Sequence, residues 1–113
     1  MKITLPFPVS VNALYGGGGG QQRFPSKRYK AWLLSCPKLE PMKYESVIIY
    51  YSFYFPDKRA RDTANYEKAV TDYLVKQQVI IDDNWTVIKH MSLTPCGVDK
   101  LKPRVEVIID VTT

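Results

Sequence analysis

From Ser46 to Phe55 the chain reads SVIIYYSFYF, a run that carries no charge and consists almost wholly of β-branched and aromatic residues. It is far shorter than the ~20 apolar residues that span a bilayer. Its composition is that of a strand buried in the middle of a sheet, and the other segments must be arranged around it. Arg104 to Thr112 (RVEVIIDVT) is a second strand: Val105 and Val107 alternate with Arg104 and Glu106, the period-two pattern of a ribbon with one face toward a core. Lys2 to Leu5 is a short opening strand, stopped by the Pro6-Phe7-Pro8 turn. Trp85 to Thr94 is expected as a further strand, followed by a lysine-bearing turn over Pro95 to Pro103.

Two segments break that period. Ser26 is placed to cap a helix over Lys27 to Ser35, which Cys36-Pro37 ends. Tyr29, Trp32 and Leu33 recur at helical spacing, and Lys27, Arg28 and Lys30 load the other side with positive charge. After Asp62, Tyr66, Val70, Tyr73 and Leu74 fall on one helical stripe, with Glu67, Lys68, Thr71 and Asp72 off it. The order strand, helix, strand, helix, strand, strand predicts one α+β domain over residues 1–113, a mixed β-sheet with two helices packed on one face. That length suits a single core.

Between Tyr15 and Gln21 stand five consecutive glycines, Gly16 to Gly20. Glycine loses more backbone entropy on ordering than any other residue, so the run is expected as a flexible linker or as a mobile loop that orders on a ligand. A phosphate-cradling loop is not expected, because no Gly-Lys-Ser/Thr follows. Cys36 and Cys96 belong to no ligand-spaced cluster and are expected as inert thiols. His90 lies among strand-like residues and carries little catalytic weight.

Charge narrows the class of partner. The formal net charge is +5, which favours a polyanion. The cations concentrate in Lys27, Arg28 and Lys30 on the first helix and in Lys58, Arg59 and Arg61 just before Asp62, with Arg23 after the glycines. No membrane span and no signal-peptide pattern is visible, so a cytoplasmic location is expected.

Asp62 and Asp83 are twenty-one positions apart (83 − 62). They can meet only if the helix between them doubles back and lays Val79 to Asp83 beside its own beginning, which a helix of roughly 15 residues and a short return leg permits. Asp82 and Asp83 then add two carboxylates beside Lys68 and the basic turn. Singly, Asp62 could be a helix cap and Asp82-Asp83 a turn. Jointly, carboxylates from separate segments surrounded by cations suit a magnesium-dependent phosphodiesterase.

These residues carry a resemblance. The opening ITLPFPVSVNALY with Asn12, the basic PDKRARD, the helix bearing Asn65 and Lys68, and the closing Asp82-Asp83 together resemble the RusA family of Holliday junction resolvases, small nucleases of phages and prophage regions. The family motif is Asp-x-Asp-Asn, then Lys three positions later, then an Asp-Asp pair. Asp62, Asn65, Lys68, Asp82 and Asp83 match it, whereas Ala64 stands where the second aspartate belongs.

The resemblance implies a magnesium-dependent, structure-selective endonuclease that resolves four-way junction DNA by symmetric paired cleavage in a bacterial or phage-infected cell. Asp62, Asp83 and the absent acid would hold Mg2+, with Asp82 a ligand or a neighbour of one. Lys68 would stabilise charge at the scissile phosphate. Asn12, Asn65, Arg23, Lys27, Arg28, Lys30, Lys58, Arg59 and Arg61 would contact DNA. Two cuts related by a two-fold axis imply a homodimer. The intact surroundings of Ala64 point to an inactivating Asp→Ala change in an otherwise active nuclease. The competing reading is a protein that binds branched DNA without cutting it.

Overall fold

The computed structural model of the chain describes residues 1–16 and 24–112. The glycine run beyond Gly16, and Arg23 with it, lies outside the described residues, and so does the expected mobile loop.

The uncharged run becomes β4 (Val47–Phe55), with a hydrogen-bonded neighbour on each side. β6 (Arg104–Val111) pairs with it antiparallel, and β5 (Ile88–Val98) pairs with it parallel. β1 (Lys2–Pro6) runs antiparallel to β6, giving a mixed sheet in the order β1-β6-β4-β5. Tyr15–Gly16 (β2) and Phe24–Pro25 (β3) form a separate two-stranded ladder.

The register puts Ile49 opposite Ile109, Tyr51 opposite Val107 and Phe53 opposite Val105, and all six are fully buried. Ile3 and Leu5 of β1 extend the same apolar face. On the opposite face the period-two partners of β4 and β6 are polar or aromatic except for Ile48 and Ile108. There Arg104 lies 3.9 Å from the centre of the Tyr54 ring and pairs with Glu106 and Asp99, each at 2.8 Å.

α1 (Lys27–Ser35) starts where Ser26 accepts from the Tyr29 N–H. Cys36, with extended φ/ψ, ends it. α1 buries Tyr29 and Trp32; the Trp32 indole donates to the Pro6 carbonyl at 2.9 Å and packs edge-on against Tyr73 of α2 (Glu67–Lys76). α2 buries Ala69, Val70, Thr71, Tyr73 and Leu74. Thr71 is the buried polar group of this face: its hydroxyl donates to the Glu67 carboxylate and accepts from the Tyr51 hydroxyl at 2.5 Å, so neither is left unpaired. The chain is thus one compact α+β domain, a mixed sheet with two helices.

The end of α2 decides where the acid pair goes. The Gln78 N–H returns to the Val75 carbonyl and the Val79 N–H to the Leu74 carbonyl, a Schellman closure with Val79 and Leu74 both fully buried. This closure requires a left-handed residue after the helix, and Gln78 supplies it at φ 61° without being glycine. The reversed chain then hydrogen-bonds to Lys43 and Tyr44, and Ile80 bridges Tyr44 in parallel. Asp82 follows directly. A Cβ in the left-handed region is strained, so Gln78→Gly is expected to stabilise the fold by ~0.5–1 kcal/mol, roughly 2–4 °C in Tm. An unchanged or lower Tm in thermal melts would show that the Gln78 side chain carries a compensating contact.

Two strand limits differ from expectation. Trp85 to Val87 form a turn, and the strand begins only at Ile88. The Asn84 side chain accepts from the Thr86 N–H at 2.9 Å, and its carbonyl accepts from the N–H groups of Val87 and Ile88. An Asn side chain competing for its own downstream amides favours a turn over a ladder. At the other end, β5 runs through Pro95 to Val98. Among the described residues β5 is paired on one side, and an edge strand is where a proline, which has no N–H to donate, is tolerated.

Candidate functional site

The basic turn is organised by an acid. The Asp57 carboxylate accepts from the Arg59 N–H at 2.9 Å and from the Arg61 guanidinium at 2.8 Å, with the Arg59 guanidinium at 3.3 Å. Arg61 is also held 5.9 Å from each of the Phe7 and Phe55 ring centres, and only 9% of its side chain is exposed. This arginine fastens the turn to the end of β4. Arg59, by contrast, is three-quarters exposed.

The hydrogen bond from Arg61, and then the Arg59 N–H, hold the Asp57 carboxyl far below the usual carboxylate range. A carboxyl depressed on folding stabilises above its unfolded pKa of ~4 and loses that contribution as pH falls below it. Asp57→Asn is therefore expected to lower Tm near neutrality and to flatten its fall between about pH 5 and pH 2. The residual acid sensitivity belongs to Asp99 and Glu106, also held low, by the Lys102 N–H and Arg104 for the first and by Arg104 for the second. Parallel Tm–pH curves for parent and variant would remove Asp57 from this role.

Beyond the turn opens a cleft of about 840 Å3. Its walls bring together Ser10 and Asn12 from the opening loop, Arg28 from α1, Arg59 and Arg61 from the basic turn, and Asp62 and Asn65 from the approach to α2. Trp32 and Tyr66 line it as well. Lys27 and Lys30 are exposed on α1. Lys58 is exposed beside a smaller depression of about 310 Å3 that it shares with Arg59 and Arg61.

Asp62 occupies the N-cap position of a 3-10 turn over Thr63–Tyr66, but its side chain makes no capping hydrogen bond. Its carboxylate is exposed on the cleft wall. Ala64, two residues on, is also exposed, and its carbonyl accepts from the Glu67 N–H.

The return leg brings Asp83 back to the first turn of α2. Lys68 Nζ lies 2.9 Å from Asp72 Oδ1 and 3.7 Å from Asp83 Oδ2. The hydrogen bond to Asp72 raises the Lys68 pKa above its ordinary value, so the ammonium keeps its proton at any physiological pH. Asp82 is differently employed: Oδ1 accepts from the Asp83 N–H at 2.7 Å and Oδ2 from the Asn84 amide at 3.1 Å. Both of its oxygens serve the turn.

These donors do not fit a magnesium site as they stand. Among the described residues no group of three or more His, Cys, Asp or Glu side chains could hold a metal ion. Lys68 faces Asp83 at 3.7 Å, and the Asp82 oxygens are engaged.

Sequence reasoning missed Asp57 and Asp72. Pro56-Asp57 at the head of a turn is the signal for the first. The i,i+4 spacing of Lys68 and Asp72 is the signal for the second. His90 is exposed on β5, and Cys36 and Cys96 are free; burial pushes the Cys36 thiol up to about 12, which leaves it unreactive at neutral pH.

The sequence profile of the family described as Endodeoxyribonuclease RusA matches residues 6–110. No curated protein matches the chain.

Proposed function

The chain belongs to the RusA endodeoxyribonuclease family, nucleases that act on Holliday junction DNA, and on that premise we propose that it grips four-way junctions through the cleft beside Asp62 while lacking one carboxylate needed to cut them. The observation that carries this reading is the convergence of Arg28, Arg59, Asn12 and Asn65 with Asp62 around one cleft. Cations and amides bind and orient phosphates, and an acid in the same cleft marks where chemistry would occur.

Magnesium belongs to the proposal only for a form with an acid at position 64. There Asp62, Asp83 and the introduced carboxylate would be the donors, and the ion would supply Lewis-acid activation of the phosphate and of water. In the present chain the roles are binding ones. Arg59, Arg28, Lys27, Lys30 and Lys58 take phosphates, Asn12 and Asn65 orient the strand, and Lys68 places a permanent positive charge beside Asp83. Arg61 acts indirectly, by holding Arg59 and Asp62 in place through Asp57.

A junction presents two equivalent strands across a two-fold axis, and each chain offers one cleft. The proposal therefore includes a symmetric homodimer, which sedimentation at about twice the 13.0 kDa chain mass would support. Tyr50 and Ile108, directly opposed and exposed on the open sheet face, are available to such an interface. Among the described residues no helix is long and apolar enough to cross a membrane. A bacterial or phage-infected cytoplasm is the proposed setting.

The test is a gel-shift titration of a synthetic four-way junction against linear duplex of the same arm sequence. Preferential binding of the junction is expected. Equal affinity for the two would reduce the protein to a non-selective DNA binder.

A further inference from the structure

Trp85 is 80% exposed, although tryptophan is among the residues most buried on average. The exposure is built in rather than loose. Asn84 closes the turn on one side through the N–H groups of Thr86, Val87 and Ile88, and Val87, only 3% exposed, anchors the other side in the core. A rigid turn therefore presents the indole two positions after Asp83, the carboxylate that faces Lys68. Lys89 Nζ lies over the ring, 5.9 Å from its centre, so one face of the indole has a cation above it.

We propose that Trp85 is a stacking platform for a nucleobase at the branch point, with Lys89 taking the adjoining phosphate. The inference rests on the junction reading above and adds to it a base contact beside the acid pair. Every base offers a π-face, so aromatic stacking holds an unpaired or splayed nucleotide without reading its sequence. At the centre of a junction the base pairs flanking the crossover lose a stacking neighbour when the arms open, and a fixed indole can replace it. The paired cation and the net charge of +5 match a nucleotide, with its π-face and its phosphate, better than an apolar protein surface.

The experiment compares the parent chain with Trp85→Ala and Trp85→Phe on junctions carrying 2-aminopurine either at the branch point or within an arm. With the parent, the branch-point probe is expected to change its emission on binding, whereas the arm probe stays silent. Trp85→Ala should lose that response and about tenfold or more in junction affinity, with unchanged Tm and sedimentation. Trp85→Phe should keep most of both, because the platform needs a ring and not the indole N–H.

An unchanged branch-point response and affinity in Trp85→Ala overturns the platform. A change in oligomeric mass on that substitution overturns it in favour of a protein contact. A parent chain that binds no junction overturns the junction reading itself, and this inference with it, so the two failures are told apart by which protein fails.

Discussion

Ala64→Asp gains magnesium-dependent cleavage of four-way junctions, by ~100-fold or more over the parent chain, the scale on which single electrostatic groups act at active sites. The expectation rests on what surrounds the position. Asp62, two residues earlier, leaves its carboxylate uncommitted on the cleft wall instead of capping the turn. Asp83 has been carried back to the start of α2, and Asp82 is occupied by its own turn. On the proposed reading Asp62 and Asp83 are one hard oxygen donor short, and position 64 is the exposed residue between Asp62 and the helix.

Folding should tolerate the change. An acid ahead of a helix N-terminus interacts favourably with the helix dipole, and an exposed position creates no overpacking. The added charge does have a cost without metal: a further carboxylate repels phosphate, so Ala64→Asp is expected to bind junctions more weakly than the parent in EDTA. Labelled junctions incubated with each protein, with magnesium and with EDTA, give the readout. Equal cutting by both forms would strip position 64 of a ligand role, and no cutting by either would favour the protein that only binds.

Junction affinity of the parent chain falls roughly 500-fold between 50 and 200 mM salt, if five cations each neutralise one phosphate with a slope of ~0.9 per contact. The five are Lys27, Arg28, Lys30, Lys58 and Arg59, all exposed. Arg61 is left out because its guanidinium is enclosed by Phe7, Phe55 and Asp57. The two arginines of the turn thus separate. Arg59→Ala should reduce the log–log slope by ~0.9 and leave Tm unchanged. Arg61→Ala should lower Tm, since it removes packing and orphans Asp57, without the same reduction in slope. Affinity independent of salt would contradict a phosphate grip altogether, and a slope loss confined to Arg61→Ala would reverse the assignment of the pair.

Much of the molecule could be read from the chain because its signals are local. Strands β1, β4 and β6 and helix α1 lie within a residue of their expected limits. Charge-free β-branched runs, period-two alternation and a Ser cap each act over a few residues. The family was legible for a different reason: the quoted residues resemble one whose profile matches the chain from residue 6 to 110.

What each motif residue does locally was not legible, because that depends on neighbours distant in sequence. Arg61 reads as one more cation of a basic turn until Phe7, from the opening loop, closes over it. Asp82 reads as a ligand or the neighbour of one until Asn84 and the Asp83 N–H engage its oxygens, and Asp83 reads as a free ligand until Lys68 faces it.

By itself, then, the sequence determined the uncharged central strand, the alternating outer one and the capped basic helix, because each is decided by side-chain chemistry within a few residues, and it carried the resemblance to a nuclease family. Only the tertiary structure decided that β5 joins β4 in parallel, that a left-handed glutamine makes the reversal after α2, and that Arg28 of α1 lines the same cleft as Asp62. Those placements depend on burial of one common apolar face, to which Tyr51, Leu74, Val79 and Val107 contribute from separate segments, and no single segment contains that information.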